Sequence, residues 1–357
     1  MLWILFFISL FLSWVITYII RKWAIKKRLL DMPNQRSYHT KITPLGGGIA
    51  IVACWYMCIS FLYAAYPELM PDNLFNALIP GILLLIIGVK DDAIQLSPWI
   101  RLITQTVAIL ISMYFLGGLS QIDFGAFSLT SPLIVNTLAF IAFLWYINLF
   151  NFYDGIDGNL GTESISICII SLLLVFPDNP LIFLVACIGG FLKLNWQKAK
   201  IFMGDAGSTF LGFNFAVFGI YFQNEHNVSI VLWVMVCMVA IFDTSYTLIR
   251  RIIYKENVLT PHKNQMFHRL VSSGFSHQQV VIIQQCLNLF VIAGVWYAHS
   301  NPLMIIPASA CIIAIFLIYA YWVEKRYPWQ KKNSKNKVQA KNYNQVQHYK
   351  RDKLKTF

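Results

Sequence analysis

The sequence predicts an all-α, polytopic integral membrane protein, and three observations predict it. Only 12% of its 357 residues are charged, half of the roughly 25% usual in a soluble domain. Hydrophobic residues make up 57%, with a mean hydropathy of +0.59. They recur in blocks of roughly 16 to 22 residues, close to the ~20 that a helix needs to cross a bilayer. A soluble enzyme, a disordered scaffold and a disulfide-stapled secreted domain are excluded.

The blocks fall near 2–20, 45–66, 74–89, 101–118, 132–149, 159–176, 181–195, 207–222, 229–249, 279–298 and 303–323, which gives about eleven transmembrane helices. The first has no Lys or Arg before it and is followed by Arg21, Lys22, Lys26, Lys27 and Arg28. That order predicts a retained span with an external N-terminus, not a cleaved leader. Alternation then puts connections 67–73, 119–131, 177–180, 223–228 and 299–302 on one face, and none of them contains Lys or Arg. All 28 basic residues lie on or beside the other face, which the positive-inside rule makes cytoplasmic. Residues 1–328 read as one transmembrane domain. Residues 329–357 read as a basic, disordered cytoplasmic tail attracted to anionic membrane lipids; nucleic acid is not an expected partner. The seven cysteines all sit in apolar blocks without metal-ligand spacing and read as small packing residues.

The chemistry collects in the connections of the basic face. Asp91 and Asp92 follow Gly88 at the inner end of the third block, and both address one site if the helix ends there, as Gly88 and Ser97-Pro98 permit. Asp154 and Asp157, at i and i+3, share a helical face, and Asn148 and Asn151 repeat that spacing one turn earlier. Two carboxylates that close require a cation or hydrogen-bond donors to compensate them. In the run from Asn195 through Phe202, Met203 and Gly204 to Asp205, the glycines Gly204 and Gly207 free the backbone, and Ser208 or Thr209 offers an N-cap to the next span. A carboxylate, free amides and a helix N-terminus together suit a Mg2+ ion shared with phosphate oxygens, with Mn2+ as a substitute. The first cytoplasmic loop ends in His39-Thr-Lys41-Ile-Thr43-Pro44-Leu-Gly46-Gly47-Gly48, which joins a cation to flexible amides suited to phosphate. The longest loop carries His262, Lys263, His268 and Arg269. An anionic, metal-bound and partly lipidic ligand fits all of these, and so does phosphoryl transfer.

At these residues the sequence resembles the polyprenyl-phosphate N-acetylhexosamine-1-phosphate transferase family, relatives of the phospho-MurNAc-pentapeptide translocase, and within it the O-antigen and common-antigen initiating enzymes. The resemblance runs from Lys41 to Gly48, through Asp91-Asp92, Asn151-Phe-Tyr-Asp-Gly-Ile-Asp-Gly158 and Phe202-Met-Gly-Asp-Ala-Gly-Ser208, to the basic loop before His268. It implies transfer of a sugar 1-phosphate from a UDP-N-acetylhexosamine to undecaprenyl phosphate, with release of UMP, in the bacterial inner membrane and feeding lipopolysaccharide or related cell-wall glycans. By motif position it implies that Asp205 is the metal ligand and catalytic, with Asp91 and Asp92 beside the acceptor phosphate. Asn151, Asp154, Asp157 and Asn195 would lie around the nucleotide, Phe202 next to the uracil and Lys41 at the pyrophosphate. Many relatives carry a His-x-His-His cluster where this chain has His262-Lys-Asn-Gln265-Met-Phe-His268-Arg269. The departing segment is expected to set donor choice, with His262, His268 and Arg269 binding substrate and His268 not acting as a base. A second copy of the chain is a candidate partner. The rivals are a lipid-phosphate or nucleotide-sugar transporter, which would need charge along a path through the membrane, and a non-catalytic assembly partner, which would not need five such aspartates together.

Overall fold

The computed structural model describes residues 2–33, 41–177, 179–257 and 262–329. The expected basic tail, apart from Trp329, lies outside the described residues, as does His39. Along the chain the helices are α1 (Leu2–Lys27), α2 (Gly48–Ala65), α3 (Asp72–Leu78), α4 (Gly81–Ile94), α5 (Pro98–Leu116), α6 (Pro132–Tyr153) and α7 (Asn159–Ser171). They continue as α8 (Leu181–Asn195), α9 (Asp205–His226), α10 (Ile230–Val236), α11 (Met238–Ile253), α12 (Met266–Ser272), α13 (His277–Ser300) and α14 (Ile305–Arg326). Two small antiparallel pairs join them: β1 (Leu30–Asp31) with β2 (Thr43–Pro44), and β3 (Ile122–Asp123) with β4 (Ser128–Leu129).

All eleven apolar blocks are helical, yet among the described residues length and composition qualify only seven helical segments to cross a membrane, or eight when α10 and α11, bent by 82°, count as one. The count of eleven is therefore not carried. α7 and α8, with 13 and 15 residues, span only ~20–23 Å against a hydrocarbon core of ~30 Å. α9 is long enough, at 22 residues, but it lies at the centre of the bundle with most of its side chains buried by other helices. A helix screened from lipid can carry Asn214 and Gln223, and those residues lower its apolar signal.

Lipid-facing α1 shows the reverse pattern. Its small polar residues Ser9, Ser13 and Thr17 point into the bundle, whereas Trp3, Phe7 and Phe11 point out. Lipid removes any hydrophobic drive between helices, so close approach and interhelical hydrogen bonds hold them instead. Accordingly Ser13 Oγ donates to the Cys187 carbonyl of α8, and a Cβ on Gly190 would lie 2.4 Å from the Leu10 carbonyl oxygen. Local signals set the ends that matter below. Ser97 Oγ accepts from Trp99 N–H, and Pro98 opens α5; a Ser276/Gln279 capping box opens α13. The C-terminal ends of α4 and α6 and the N-terminal ends of α5 and α9 meet at one end of the bundle.

Candidate active site

One close crossing organises this end. α4 and α9 touch at Gly88, where a Cβ would lie 2.4 Å from Ala206 Cα and 2.5 Å from Ala206 N. Gly88 does not end the helix, as the sequence suggests. α4 runs on through Asp91 and Asp92 to Ile94, and the glycine serves the close approach. At that separation Asp92 Oδ1 accepts the Asp205 backbone N–H at 3.0 Å. Because α9 starts at Asp205 behind Gly204 (φ +79°), Asp92 supplies from another helix the cap expected of Ser208 or Thr209. Those hydroxyls sit too far into the helix to reach its orphan amides and donate backwards instead, to the Gly204 and Asp205 carbonyls at 3.2 and 2.6 Å. Asp92 Oδ2 is buried with no hydrogen-bond partner among the described residues.

Asp91, about 100° further round α4, accepts Leu96 N–H at 2.5 Å through Oδ1 and Arg101 Nη1 at 3.0 Å through Oδ2. The same guanidinium nitrogen lies 3.5 Å from Asp205 Oδ2, so Arg101 bridges the two carboxylates. Asp91, Arg101, Gln105, Asp205 and Thr209, with Leu84, Ile87 and Gly88, line an open pocket of about 250 Å³. Arg101 and Gln105 are not among the residues picked from the sequence. Their signal is a cation one turn after Ser97-Pro98, at the mouth of an otherwise apolar block.

α6 ends at Tyr153, so Asp154 is its C-cap, and Gly158 (φ +74°) leads into α7. Asp154 and Asp157 thus do not share a helical face: the Asp-Gly-Ile-Asp-Gly run makes a turn, as those residues favour. Asp157 Oδ2 accepts Ala199 N–H at 3.1 Å and lies 3.4 Å from His277 Nδ1, which accepts the Asp157 N–H at 3.2 Å. Asn195, 5% exposed, locks the same corner by accepting Gly158 N–H at 3.0 Å and donating to the Ile201 carbonyl at 2.9 Å. Asp154 stays with the carboxylate group. Burial first, then the charges of Asp205 and Asp157, push its carboxyl up to about 7. Asn151 pins α6 to the first turn of α9 by donating to Ser208 Oγ at 3.0 Å. Asn148 reaches the pocket wall through Gln105, donating to its Oε1 at 2.9 Å.

The glycine loop has a different task from the one its sequence suggests. Phe202 N–H donates to the Pro44 carbonyl, and the Gly47 and Gly48 N–H groups donate to the Phe202 and Met203 carbonyls, each at 2.9 Å. These amides hold residues 202–203 beside α2 and are not free for phosphate. Lys41 is exposed at the start of the loop, its carbonyl accepting from Thr43 Oγ1 at 3.1 Å.

On the opposite side, Asp243 caps α12 by accepting Met266 and Phe267 N–H at 2.7 and 3.2 Å. His268 is buried against Gly155, where a Cβ would meet its Cε1 at 2.8 Å. Burial, reinforced by His262, Lys263 and His277 nearby, lowers His268 to about 3, so its imidazole is neutral near pH 7. His262 Nδ1 accepts Asn264 N–H at 3.2 Å. Arg269 points away from the carboxylates. It is 2% exposed and donates to Glu324 at 2.6 Å and to the Tyr327 carbonyl at 2.9 Å, tying α12 to the end of α14. Sequence reading also passes over Glu163, fully buried in α7, which accepts Asn288 Nδ2 at 2.9 Å and so links α7 to α13. A lone acid inside an apolar block is its signal.

Asp91 and Asp205 share one guanidinium, with Asp92 bonded to the Asp205 amide and Asp154 close by. The corner therefore carries excess negative charge and an all-oxygen donor set suited to a small hard cation. Such a cation and Arg101 together would attract a phosphate-bearing ligand.

Comparison with known proteins agrees. A family model described as glycosyl transferase family 4 matches residues 74–223. A Bacillus subtilis (strain 168) protein described as a probable undecaprenyl-phosphate N-acetylglucosaminyl 1-phosphate transferase is 30% identical over 328 residues, 88% of this chain and 87% of its own length. Proteins of Salmonella typhi and Escherichia coli (strain K12), each described as an undecaprenyl-phosphate alpha-N-acetylglucosaminyl 1-phosphate transferase, are 28% and 29% identical over 90% of this chain and 90% of their own.

Proposed function

Since this chain belongs to glycosyl transferase family 4, we propose that it transfers N-acetylglucosamine 1-phosphate from its UDP-sugar to undecaprenyl phosphate. UMP is released, and the lipid-linked product starts an envelope glycan. The observation that carries this reading is the Asp91–Arg101–Asp205 bridge at the mouth of a membrane-end pocket, with the orphaned Asp92 Oδ2 beside it. The names of the relatives support the sugar and the lipid. The basic residues collected near this end support a cytoplasmic site, an outward N-terminus and a location in the bacterial cytoplasmic membrane.

In the reaction a phosphate oxygen of undecaprenyl phosphate bonds to the phosphorus attached to the sugar, while the bond from that phosphorus to the UMP oxygen breaks. The attacking oxygen is already ionised near neutral pH, so no side chain has to take a proton. His268, held neutral, donates a hydrogen bond to the donor and does not act as a base. Asp205, Asp91 and Asp92 Oδ2 fit a Mg2+ ion, whose bound charge would neutralise the pyrophosphate. Arg101 offers N–H donors to the remaining phosphate oxygens, and the Asp92 cap fixes Asp205 against α4. Asn148, Asn151 and Asp154 bind the donor from the α6 side, with Phe202, Lys41 and His262 at its rim. Asp157 and Asn195 shape the turn that holds them.

Purified protein, undecaprenyl phosphate and a panel of UDP-N-acetylhexosamines provide the test, read as UMP release and as sugar appearing on the lipid. Release that requires the lipid and is fastest with the N-acetylglucosamine donor is the expected result. Movement of the lipid or the nucleotide sugar across liposomes with no UMP formed would replace the transferase with a transporter.

A further inference from the structure

Away from the carboxylates, the bundle brings three thiols together. Cys54 and Cys58 stand one turn apart on α2, so they share a face, and α8 adds Cys187 to the same point. Their exposures are 0%, 2% and 0%, and the three sulfur atoms lie within 4.8 Å of one another. α1 closes the third side: Cys54 Sγ donates to the Ser9 carbonyl at 3.2 Å, and Ser9 Oγ lies 2.9 Å from Cys58 Sγ. Two further cysteines, Cys168 and Cys237, are also buried, but they stand outside this group.

We infer that Cys54, Cys58 and Cys187 form a binding site for one soft, thiophilic d10 cation of the Cu(I), Zn(II) or Cd(II) type, between α1, α2 and α8. The size fits. With metal–sulfur bonds of ~2.3 Å, three sulfurs around one ion stand ~4 Å apart, so side chains within 4.8 Å need to close by less than ~1 Å. The chemistry selects the class, because sulfur ligands favour soft ions and leave Mg2+ to oxygen sites. Each S–H bond that breaks on loading gives its proton to solvent and its electron pair to the metal, so binding strengthens as pH rises. The site is distinct from the reaction pocket: Cys54 lies six residues beyond Gly48, ~9 Å along α2 into the bundle. An ion there would staple α2 to α8, the two helices that flank the glycine loop, with Ser9 Oγ of α1 still placed to donate to the Cys58 sulfur.

The test uses the full chain in detergent, titrated with Cd(II) in excess Mg2+ so that carboxylates are occupied. It is read by ultraviolet thiolate-to-metal absorption, by protection of thiols from alkylation in denaturant sufficient to expose them in the metal-free chain, and by the unfolding midpoint. One equivalent of Cd(II) per chain, three thiols protected and a raised midpoint are expected. All three should disappear in Cys187→Ser and persist in the Cys286→Ser/Cys311→Ser double variant. Cys187→Ser should also keep wild-type UMP release, which separates loss of the site from loss of the fold. Cys54→Ser, read by alkylation alone, gives an independent check. Wild type that binds no Cd(II), binding that survives Cys187→Ser, or fewer than the seven free thiols on denaturation, which would mean a disulfide, each overturns the inference.

Discussion

Replacing Gly88 with alanine separates the geometry of the carboxylates from their chemistry, because it changes neither charge nor ligand. The new methyl group would sit 2.4 Å from Ala206 Cα and 2.5 Å from Ala206 N, both backbone atoms that no rotamer change can move aside. Relief to an ordinary carbon contact near ~3.5 Å requires α4 and α9 to part by about 1 Å. The Asp205 amide then stands about 4 Å from Asp92 Oδ1 instead of 3.0 Å, beyond hydrogen-bond range. Overpacking costs roughly 1–3 kcal/mol and the lost cap about 1 kcal/mol. A displacement of about 1 Å among reacting groups lowers turnover by roughly 10²-fold. The assay pairs the rate of UMP release at saturating substrate with the thermal midpoint in detergent. Gly189→Ala is the control, since its Cβ would meet only the end of the Leu10 side chain, at 2.9 Å. A Gly88→Ala protein within twofold of wild-type turnover, with an unchanged midpoint, would show that the crossing does not set the site.

Asp205→Asn should abolish turnover while the protein still inserts and unfolds cooperatively, and wild-type activity should vanish with EDTA and return with Mg2+ or Mn2+; near-normal activity in the variant removes Asp205 from the site. His268→Gln, which keeps a donor, should retain measurable turnover, whereas His268→Ala should lose more, chiefly through KM for the donor. An activity limb titrating near ~6.5 in wild type and absent from His268→Gln would make this residue the base. The same histidine also bears on stability. Its folded value of about 3 lies below the unfolded 6.5, so its contribution is complete above pH ~6.5 and is lost as pH falls towards 3; relative to His268→Gln, the wild-type midpoint should drop over that window. Glu163→Leu should destabilise the protein by roughly 1–3 kcal/mol, because Asn288 then loses its interhelical acceptor and keeps only Gln285 Oε1 on its own helix, while Glu163→Gln should cost clearly less; equal effects would deny the α7–α13 link.

Class of fold and region of chemistry are legible because both depend on short-range pattern. Apolar blocks mark the helices, and Asp91, Asp92 and Asp205 declare themselves as acids at block ends. What escapes the sequence lies between distant segments. Gly88 reads as a helix end because nothing nearby announces Ala206, 118 positions on, as its neighbour. Gly47 and Gly48 read as open amides because their acceptors, Phe202 and Met203, belong to another loop. The i, i+3 spacing of Asp154 and Asp157 implies one helical face only if the helix continues, and a C-cap at Asp154 cancels it. Arg101 looks like a topology signal until the fold sets it between two carboxylates.

The inward polar stripe of α1 has a consequence for how the protein is made. Ser13 is synthesised 174 residues ahead of its acceptor, the Cys187 carbonyl. At ~5–20 residues per second, the ribosome needs about 10–35 s to deliver it. For that interval Ser13 waits in the bilayer without its acceptor on α8, whereas Ser9 meets Cys58 of α2 only 49 residues on. A nascent chain arrested before α8 thus leaves Ser13 of α1 without its interhelical partner, a polar mark open to membrane quality control. Completion of α8 erases that mark.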